Sequence, residues 1–414
     1  MQLRISQVPT LITKKRFRKK ALLSEPLSPE IQLLFRTAHP GAEPANDSHI
    51  RELLHQSLDW DFVLRSARAH ATLPLLHWHL QRQEWTAVPA THRDSLRDDF
   101  RRNAVLNLVR TRELLSLLKK FQARGIPVLP FKGPTLAAYA YGDLSLRQFN
   151  DLDLLLRPED LSTGKELLLA EGYRSGLNLP AARQSDYLRA LGQVPFYHQR
   201  DASLVELHSR VMPHHFFFPL DLEELWSRAE LLSLQGEVVR VLSAEDLLLV
   251  LSAHGAKHRF ASLGWVSDLA ALIRSRPTLD VERALDRARE LRSERVLLLG
   301  LRLGYGLLNE SPPTFVERRM RADPVSGILA VQVWRGLTHG SPLSEPQGAM
   351  FQIRLREHFT DGLVYSLSLA LQPIVADWKF LSLPSAVSLL YFGLRPLRLA
   401  FKYGVPLLSR FLPR

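Results

Sequence analysis

Phe131-Lys132-Gly133-Pro134-Thr135, followed by Leu146-Arg147-Gln148-Phe149-Asn150-Asp151-Leu152-Asp153-Leu154-Leu155-Leu156, is the stretch on which the fold turns. The apolar run Ile126–Phe131 reads as a strand ending in a small-residue turn, and a helical segment follows from Pro134 to Tyr141. A second strand then opens on two aspartates spaced i, i+2. Side chains alternate faces along a strand, so Asp151 and Asp153 point to the same side. Two parallel carboxylates beside Leu152, Leu154, Leu155 and Leu156 repel each other and resist desolvation unless a cation lies between them. Oxygen-only ligands suit Mg²⁺, with Mn²⁺ as the alternative, and Mg²⁺ draws on substrate phosphates to fill its octahedron. Phosphoryl and nucleotidyl transfer use that arrangement. Alone, an Asp-x-Asp at a strand start is more often a turn or a cap. The Lys-Gly-Pro-Thr turn shifts the balance, because backbone N–H groups at a helix start hold phosphate oxygens.

A third acid is at hand. Ser203-Leu204-Val205-Glu206-Leu207-His208 alternates as a strand after the Gln199–Ala202 turn. Glu206 and His208 share one face, and Val205 and Leu207 the other. Set beside Asp151 and Asp153, this strand completes a three-carboxylate metal site. By itself it suits a solvent-facing edge strand equally well.

At these residues the chain resembles the nucleotidyltransferase superfamily, whose catalytic core is like that of DNA polymerase β. It is most similar to the branch of uncharacterised bacterial nucleotidyltransferases. The branch's K-G-x-x-L-A-x-x-x-Y-G-D segment is matched by Lys132, Gly133, Leu136, Ala137, Tyr141, Gly142 and Asp143. Its R-x-x-x-D-x-D-L-L segment is matched by Arg147, Asp151, Asp153, Leu154 and Leu155. The strand with Glu206 and His208 fits the third-acid strand. His254-Gly255-Ala256-Lys257-His258, with Trp265 and Asp268 beyond it, fits a further feature of the branch. The resemblance runs from about Pro29 to Lys402. Two departures stand out. The frequent Gly-Ser of the first turn is replaced by Lys132-Gly133-Pro134, which leaves phosphate to backbone amides and Lys132. Asn150 stands where a small residue is frequent before the first aspartate.

The resemblance implies an α+β fold with a mixed-sheet nucleotidyltransferase core flanked by N-terminal and C-terminal helical regions. It implies Mg²⁺-dependent transfer of an NMP from an NTP, with ATP the favoured donor, and release of pyrophosphate. Asp151, Asp153 and Glu206 are the expected metal and catalytic residues. Lys132, Gly133, Thr135, Arg147, His254 and Lys257 are the expected nucleotide-binding residues. Asp268 is placed to orient a histidine or cap Lys257. The acceptor is open, with a small molecule or peptide favoured over RNA. The alternatives are a toxin-like tRNA nucleotidyltransferase and a non-catalytic nucleotide-binding or scaffold protein.

Composition sets the outer bounds. The chain has 414 residues, 46% of them apolar, enough for two or three domains with buried cores. With no cysteine, disulfides, thiolate metal sites and cysteine nucleophiles are excluded. The net charge of +12 favours phosphate-bearing partners. Much of the excess lies in the Lys14–Lys20 run, read as a solvated leader, and in Arg395, Arg398, Lys402, Arg410 and Arg414. No signal peptide and no apolar run of about 18 residues is present, which reads as cytoplasmic.

The expected organisation is a basic flexible leader (1–28), a helical region (29–122), the catalytic core (123–212), a C-terminal helical domain (213–370) and a basic apolar tail (371–414). In the first helical region Asp59 reads as an N-cap, and Asp94–Lys120 as one amphipathic helix packed through Val105, Leu106, Leu108, Val109, Leu114, Leu115 and Leu118. Val194–His198 reads as a fourth strand, in a hairpin with the Glu206 strand. Ser243 and Asp246 read as a capping box carrying the shorter acid. The tail from Leu383 to Leu412 suits a helix docked on its own protein. An amphipathic helix lying on a bilayer is the less favoured reading.

Overall fold

The apolar runs read as strands assemble into one mixed sheet. The computed structural model describes residues 27–399 apart from 84, 178–187, 189–190, 214–215, 217, 341–343, 372–376, 378–380 and 382–389. β1 (Leu129–Pro130), β2 (Asp151–Leu155), β3 (Tyr173–Ser175), β4 (Gln193–His198) and β5 (Leu204–His208) lie in the order β1-β2-β5-β4-β3. β2 and β5 are parallel, and the other pairs antiparallel. β4 and β5 form the expected hairpin. β1 keeps two ladder residues of the six expected, because Pro127 has no N–H to donate and the chain turns away after Pro130 toward Gly133. β3 was not foreseen; three residues are too short to show alternation.

The long helix behind the sheet, Ala90–Ala123, ends where Gly125 adopts φ +70°. Its inward face departs from the expectation. Leu114, Leu117 and Phe121 are buried, but Val105, Leu106, Leu108 and Val109 are 49–60% exposed. The residues turned inward there are Asn107 and Thr111. Asn107 Nδ2 donates to the carbonyls of Leu144 (2.6 Å) and Arg147 (2.7 Å), and Asn103 Nδ2 to that of Ser145 (2.9 Å). Those carbonyls belong to the turn that leads into β2 and have no ladder partner, so satisfying them decides the face. Asn107→Leu is therefore expected to cost about 1–3 kcal/mol of stability, read by urea unfolding.

A second departure lies in residues 213–310, read as entirely helical. They contain a hairpin of β6 (Glu230–Leu234) and β7 (Glu237–Val241). Gln235 and Gly236 turn it with φ +51° and +83°, the pair of positive φ values a two-residue hairpin turn needs. The helices Ala244–Lys257, Leu263–Ser275 and Glu294–Leu308 then pack into the main core. The helices from Pro29 to Arg82 share a smaller core of their own, with Leu33, Ile50, Val63 and Leu76 at its centre.

Asp59 caps its helix as expected, accepting from Phe62 N at 2.9 Å. Ser243 accepts from Asp246 N at 3.3 Å. The capping box is only half made, because the Asp246 carboxylate is taken by Arg228 and Arg287. The Lys14–Lys20 run and most of Leu383–Leu412 lie outside the described residues. Arg395 and Arg398, read as part of a basic tail, both pair with Asp377. Among the described residues no helix is long and apolar enough to cross a membrane.

Burial lowers the His77 and His79 imidazoles from 6.5 to about 4. A depressed histidine leaves stability intact above the unfolded value and removes it as pH falls, because the unfolded chain takes up protons first. Urea midpoints are expected to drop between pH 6.5 and 4.

Candidate active site

The parallel pairing of β2 and β5 sets the site. Its register places Asp153 opposite Glu206, with Leu155 opposite His208 and Asp151 opposite Leu204. The leucines between the acids, Leu152 and Leu154, and Val205 and Leu207 on β5, are buried on the other face of the sheet. Alternation thus sends the polar side chains to one surface and the apolar ones into the core.

Asp153 is the centre of the group. Its Oδ1 accepts from His208 Nε2 at 2.9 Å, and its Oδ2 lies 3.2 Å from Lys132 Nζ. Oδ2 is buried and has no hydrogen bond of good geometry. Burial alone would raise the Asp153 carboxyl, but Lys132 and His208 outweigh it and hold the group far below the usual carboxylate range. His208 is shifted up: burial opposes its charge, and its bonds to Asp153 and Glu206 prevail. Glu206 Oε2 lies 3.4 Å from His208 Nε2 and accepts from Gln193 Nε2 at 3.2 Å. Asp151 is raised by burial and then by the negative charge of Asp153, with Lys132 opposing.

Donor atoms of Asp153, Glu206 and His208 lie within 4.8 Å of one another. Among the described residues they form the one compact metal-capable group. The expected triad was Asp151, Asp153 and Glu206. The structure draws His208 inward and leaves Asp151 one strand step away, because His208 sits deeper along β5. The residue set suits a hard divalent ion: carboxylates predominate, Asp153 Oδ2 is a buried acceptor that meets Lys132 Nζ without a hydrogen bond of good geometry, and the neighbouring acid is destabilised in its charged form.

The turn after β1 brings Lys132 and Gly133 against this surface. Gly133 has φ +54°, and a Cβ there would meet the Asp151 carbonyl at 3.1 Å. Thr135 is buried, and its hydroxyl donates to the Lys132 carbonyl at 2.8 Å, which closes the turn.

Arg147 lies just ahead of β2 and pairs in bidentate fashion with Asp268, Nε–Oδ1 at 2.7 Å and Nη2–Oδ2 at 3.0 Å. Tyr141 donates its hydroxyl to Asp268 Oδ1 at 2.7 Å. Asp268 therefore neither orients a histidine nor caps Lys257: the guanidinium is a stronger partner and reaches it first. Arg147 Nη1 remains buried without a partner. Burial opposes the Arg147 charge, and Asp268 more than offsets it.

The helix Ala244–Lys257 directs its C-terminal end at the acids. His254 and His258 share a face, with ring centroids 4.8 Å apart, and His258 stacks on Trp265 at 5.0 Å. Burial and the Lys132 charge hold His254 well below its ordinary value, so it is neutral at pH 7. Lys257 is lowered by the same two causes. Gln352 donates to the carbonyls of Ala256 (2.8 Å) and Lys257 (3.1 Å) and so closes the helix end.

Every expected site residue thus lies in this one region. The roles of His208, Gln193, Tyr141 and Gln352 were not anticipated. His208 carried a signal, since it shares a strand face with Glu206. Gln193, Tyr141 and Gln352 reach the site through pairings that no spacing encodes.

A family described as uncharacterised nucleotidyltransferase matches residues 56–309. The chain belongs to this family. The match covers more than half of the sequence, takes in every candidate site residue but Gln352, and is narrower than the span of about Pro29 to Lys402 inferred from the motifs. Membership in the nucleotidyltransferase family makes the general reaction transfer of a nucleotidyl group, with a nucleoside triphosphate as donor. No curated protein matches the chain. Among solved structures, the lincomycin-bound lincosamide antibiotic adenylyltransferase LnuA is similar at 14% identity, over 33% of this chain and 83% of that one, with a TM-score of 0.26.

Proposed function

We propose that this nucleotidyltransferase transfers an NMP from an NTP, ATP being favoured, to a hydroxyl of a small molecule or peptide, and that it depends on Mg²⁺. The observation that carries the proposal is Asp153 facing Glu206 across the parallel β2–β5 pair, with Asp151 one step along and Lys132 against Asp153. Residues 123–212 are read as the catalytic core.

Asp151, Asp153 and Glu206 would hold the metal, with His208 adjoining. When bound, Mg²⁺ supplies charge neutralisation on the triphosphate and lowers the barrier to ionising the acceptor hydroxyl. Glu206 takes up the hydroxyl proton, with Gln193 fixing its carboxylate. Lys132 and the backbone amides at Gly133 receive phosphate oxygens, and Lys257 adds positive charge from the opposite wall. Arg147, engaged by Asp268, fixes the approach to β2 and presents its free Nη1 near Asp151. His208 keeps Asp153 ionised and oriented.

Two experiments test this reading. Label transfer and pyrophosphate release from each α-³²P-labelled NTP are measured in extract of the native source. Wild type is expected to label a discrete species, and Asp151→Asn/Asp153→Asn to label none. Melting temperature is then measured with ATP, with and without Mg²⁺. A rise that needs both and disappears in Asp151→Asn supports the enzyme, whereas a metal-independent rise favours a binding module.

Gly133→Ala is expected to lower transfer by roughly tenfold or more. A side chain at positive φ costs about 1 kcal/mol or more, and relief would push the phosphate turn away from Asp151. A rise in NTP KM at unchanged metal affinity is the expected signature.

A further inference from the structure

The helices Phe359–Leu371 and Leu390–Leu399 lie beyond the family match and pack against each other. Phe359, Leu363, Leu367 and Leu371 recur every four residues, which puts them in one stripe along the first helix. They are 85%, 48%, 50% and 40% exposed. Leu390 and Leu397 of the second helix are 57% and 58% exposed. An exposed apolar stripe of this length calls for a partner or a surface.

Among the described residues, the two helices offer a protein partner little that is directional. From Gly362 to Leu371 the first helix carries no charged residue. Its serines bond within the helix, Ser366 to the Gly362 carbonyl (2.8 Å) and Ser368 to that of Tyr365 (2.7 Å). Asp361 is buried. The charged groups of the second helix are turned away from solvent: Arg395 donates to the Leu369 carbonyl, and both Arg395 and Arg398 pair with Asp377. Residues 378–414 contain no Asp or Glu but six Lys and Arg, and the aromatics Trp378, Phe401 and Tyr403 are interspersed with them.

We propose that this face lies on the surface of an anionic lipid bilayer. An apolar stripe without polar appetite suits hydrocarbon, and the remaining cations of the flanking sequence, Lys379, Lys402, Arg410 and Arg414, complement anionic headgroups. At 13 residues the first helix measures about 20 Å, short of the hydrocarbon core, so it rests in the interfacial plane and does not span. Lipid contact would bring the transferase to acceptors at the membrane.

Flotation of the full chain with vesicles tests the proposal. One set is phosphatidylcholine alone, and the other contains roughly a third phosphatidylglycerol. Wild type is expected to float with the anionic vesicles. Leu363→Ser/Leu367→Ser and Leu390→Ser/Leu397→Ser are each expected to weaken partitioning by about tenfold or more. Both pairs are exposed, so circular dichroism melts should match wild type. Lys14→Gln/Lys15→Gln/Arg16→Gln separates the leader from the tail and should leave flotation largely intact. Four results would overturn the proposal: no flotation, flotation unchanged in both serine variants, flotation lost in the leader variant alone, or concentration-dependent self-association that the serine variants abolish without any vesicle binding.

Discussion

Asp153→Asn is expected to reduce nucleotidyl transfer by on the order of 10³-fold or more while leaving the chain folded. Losing this carboxylate removes charge where a metal and a triphosphate must be held, a loss expressed most strongly in the transition state. Asp153 also faces Glu206, binds His208 Nε2 and lies against Lys132, so the substitution leaves two cationic groups with a weaker partner. The sign of the accompanying stability change follows from its low pKa. A depressed carboxyl contributes stability above its unfolded value of about 3.9, and that contribution is lost as pH falls below it. Wild type and Asp153→Asn should therefore differ in urea midpoint at pH 7 and converge on acidification. Transfer is read as pyrophosphate release at saturating NTP. A variant retaining more than a tenth of wild-type kcat would place the chemistry elsewhere.

The second large effect lies away from the acids. Asp268→Asn is expected to cost about 3–5 kcal/mol of stability, because it leaves the Arg147 guanidinium buried without its carboxylate. The asparagine oxygen can still accept from Tyr141 and Arg147 Nε, but its NH2 would face the Arg147 Nη2 donor. Arg147→Met/Asp268→Leu removes both charges, and well-packed apolar replacements of a buried pair are often near neutral, so most of the stability should return. Activity divides the two roles of Arg147. If the arginine only holds the approach to β2, the double variant recovers transfer along with stability. If Nη1 also acts on the nucleotide or Asp151, the double variant folds well but transfers poorly, with kcat and kcat/KM reduced together. The proposed role of Arg147 requires the second outcome.

Much of the geometry of this site is legible in the sequence. The i, i+2 spacing put Asp151 and Asp153 on one strand face, and the alternation of Leu204–His208 put Glu206 and His208 on another. The Lys-Gly-Pro-Thr turn marked the phosphate approach. The long helix shows the limit of such periodicity. Val105, Leu106, Leu108 and Val109 promised an inward apolar face, yet Asn107 is the residue that packs inward. Unmet carbonyls on the Leu144–Arg147 turn outweighed four apolar side chains, and no pattern within the helix could reveal them. The β6–β7 hairpin carried its own signal in Gln235-Gly236, which the surrounding helical sequence obscured.

The sequence by itself determined the local chemistry: which acids share a face, where the turns fall, and which residue types could hold phosphate and metal. Local periodicity suffices for that, because strand and helix geometry fix the direction of neighbouring side chains. Tertiary structure alone decided who pairs with whom. It gave Asp268 to Arg147 and Tyr141, set Gln193 beside Glu206, brought Gln352 to the end of the Lys257 helix and turned the apolar stripe of Phe359–Leu371 outward. Those partnerships join residues up to 127 positions apart. They are settled by competition among buried polar groups for a limited set of partners, which only the packed chain resolves.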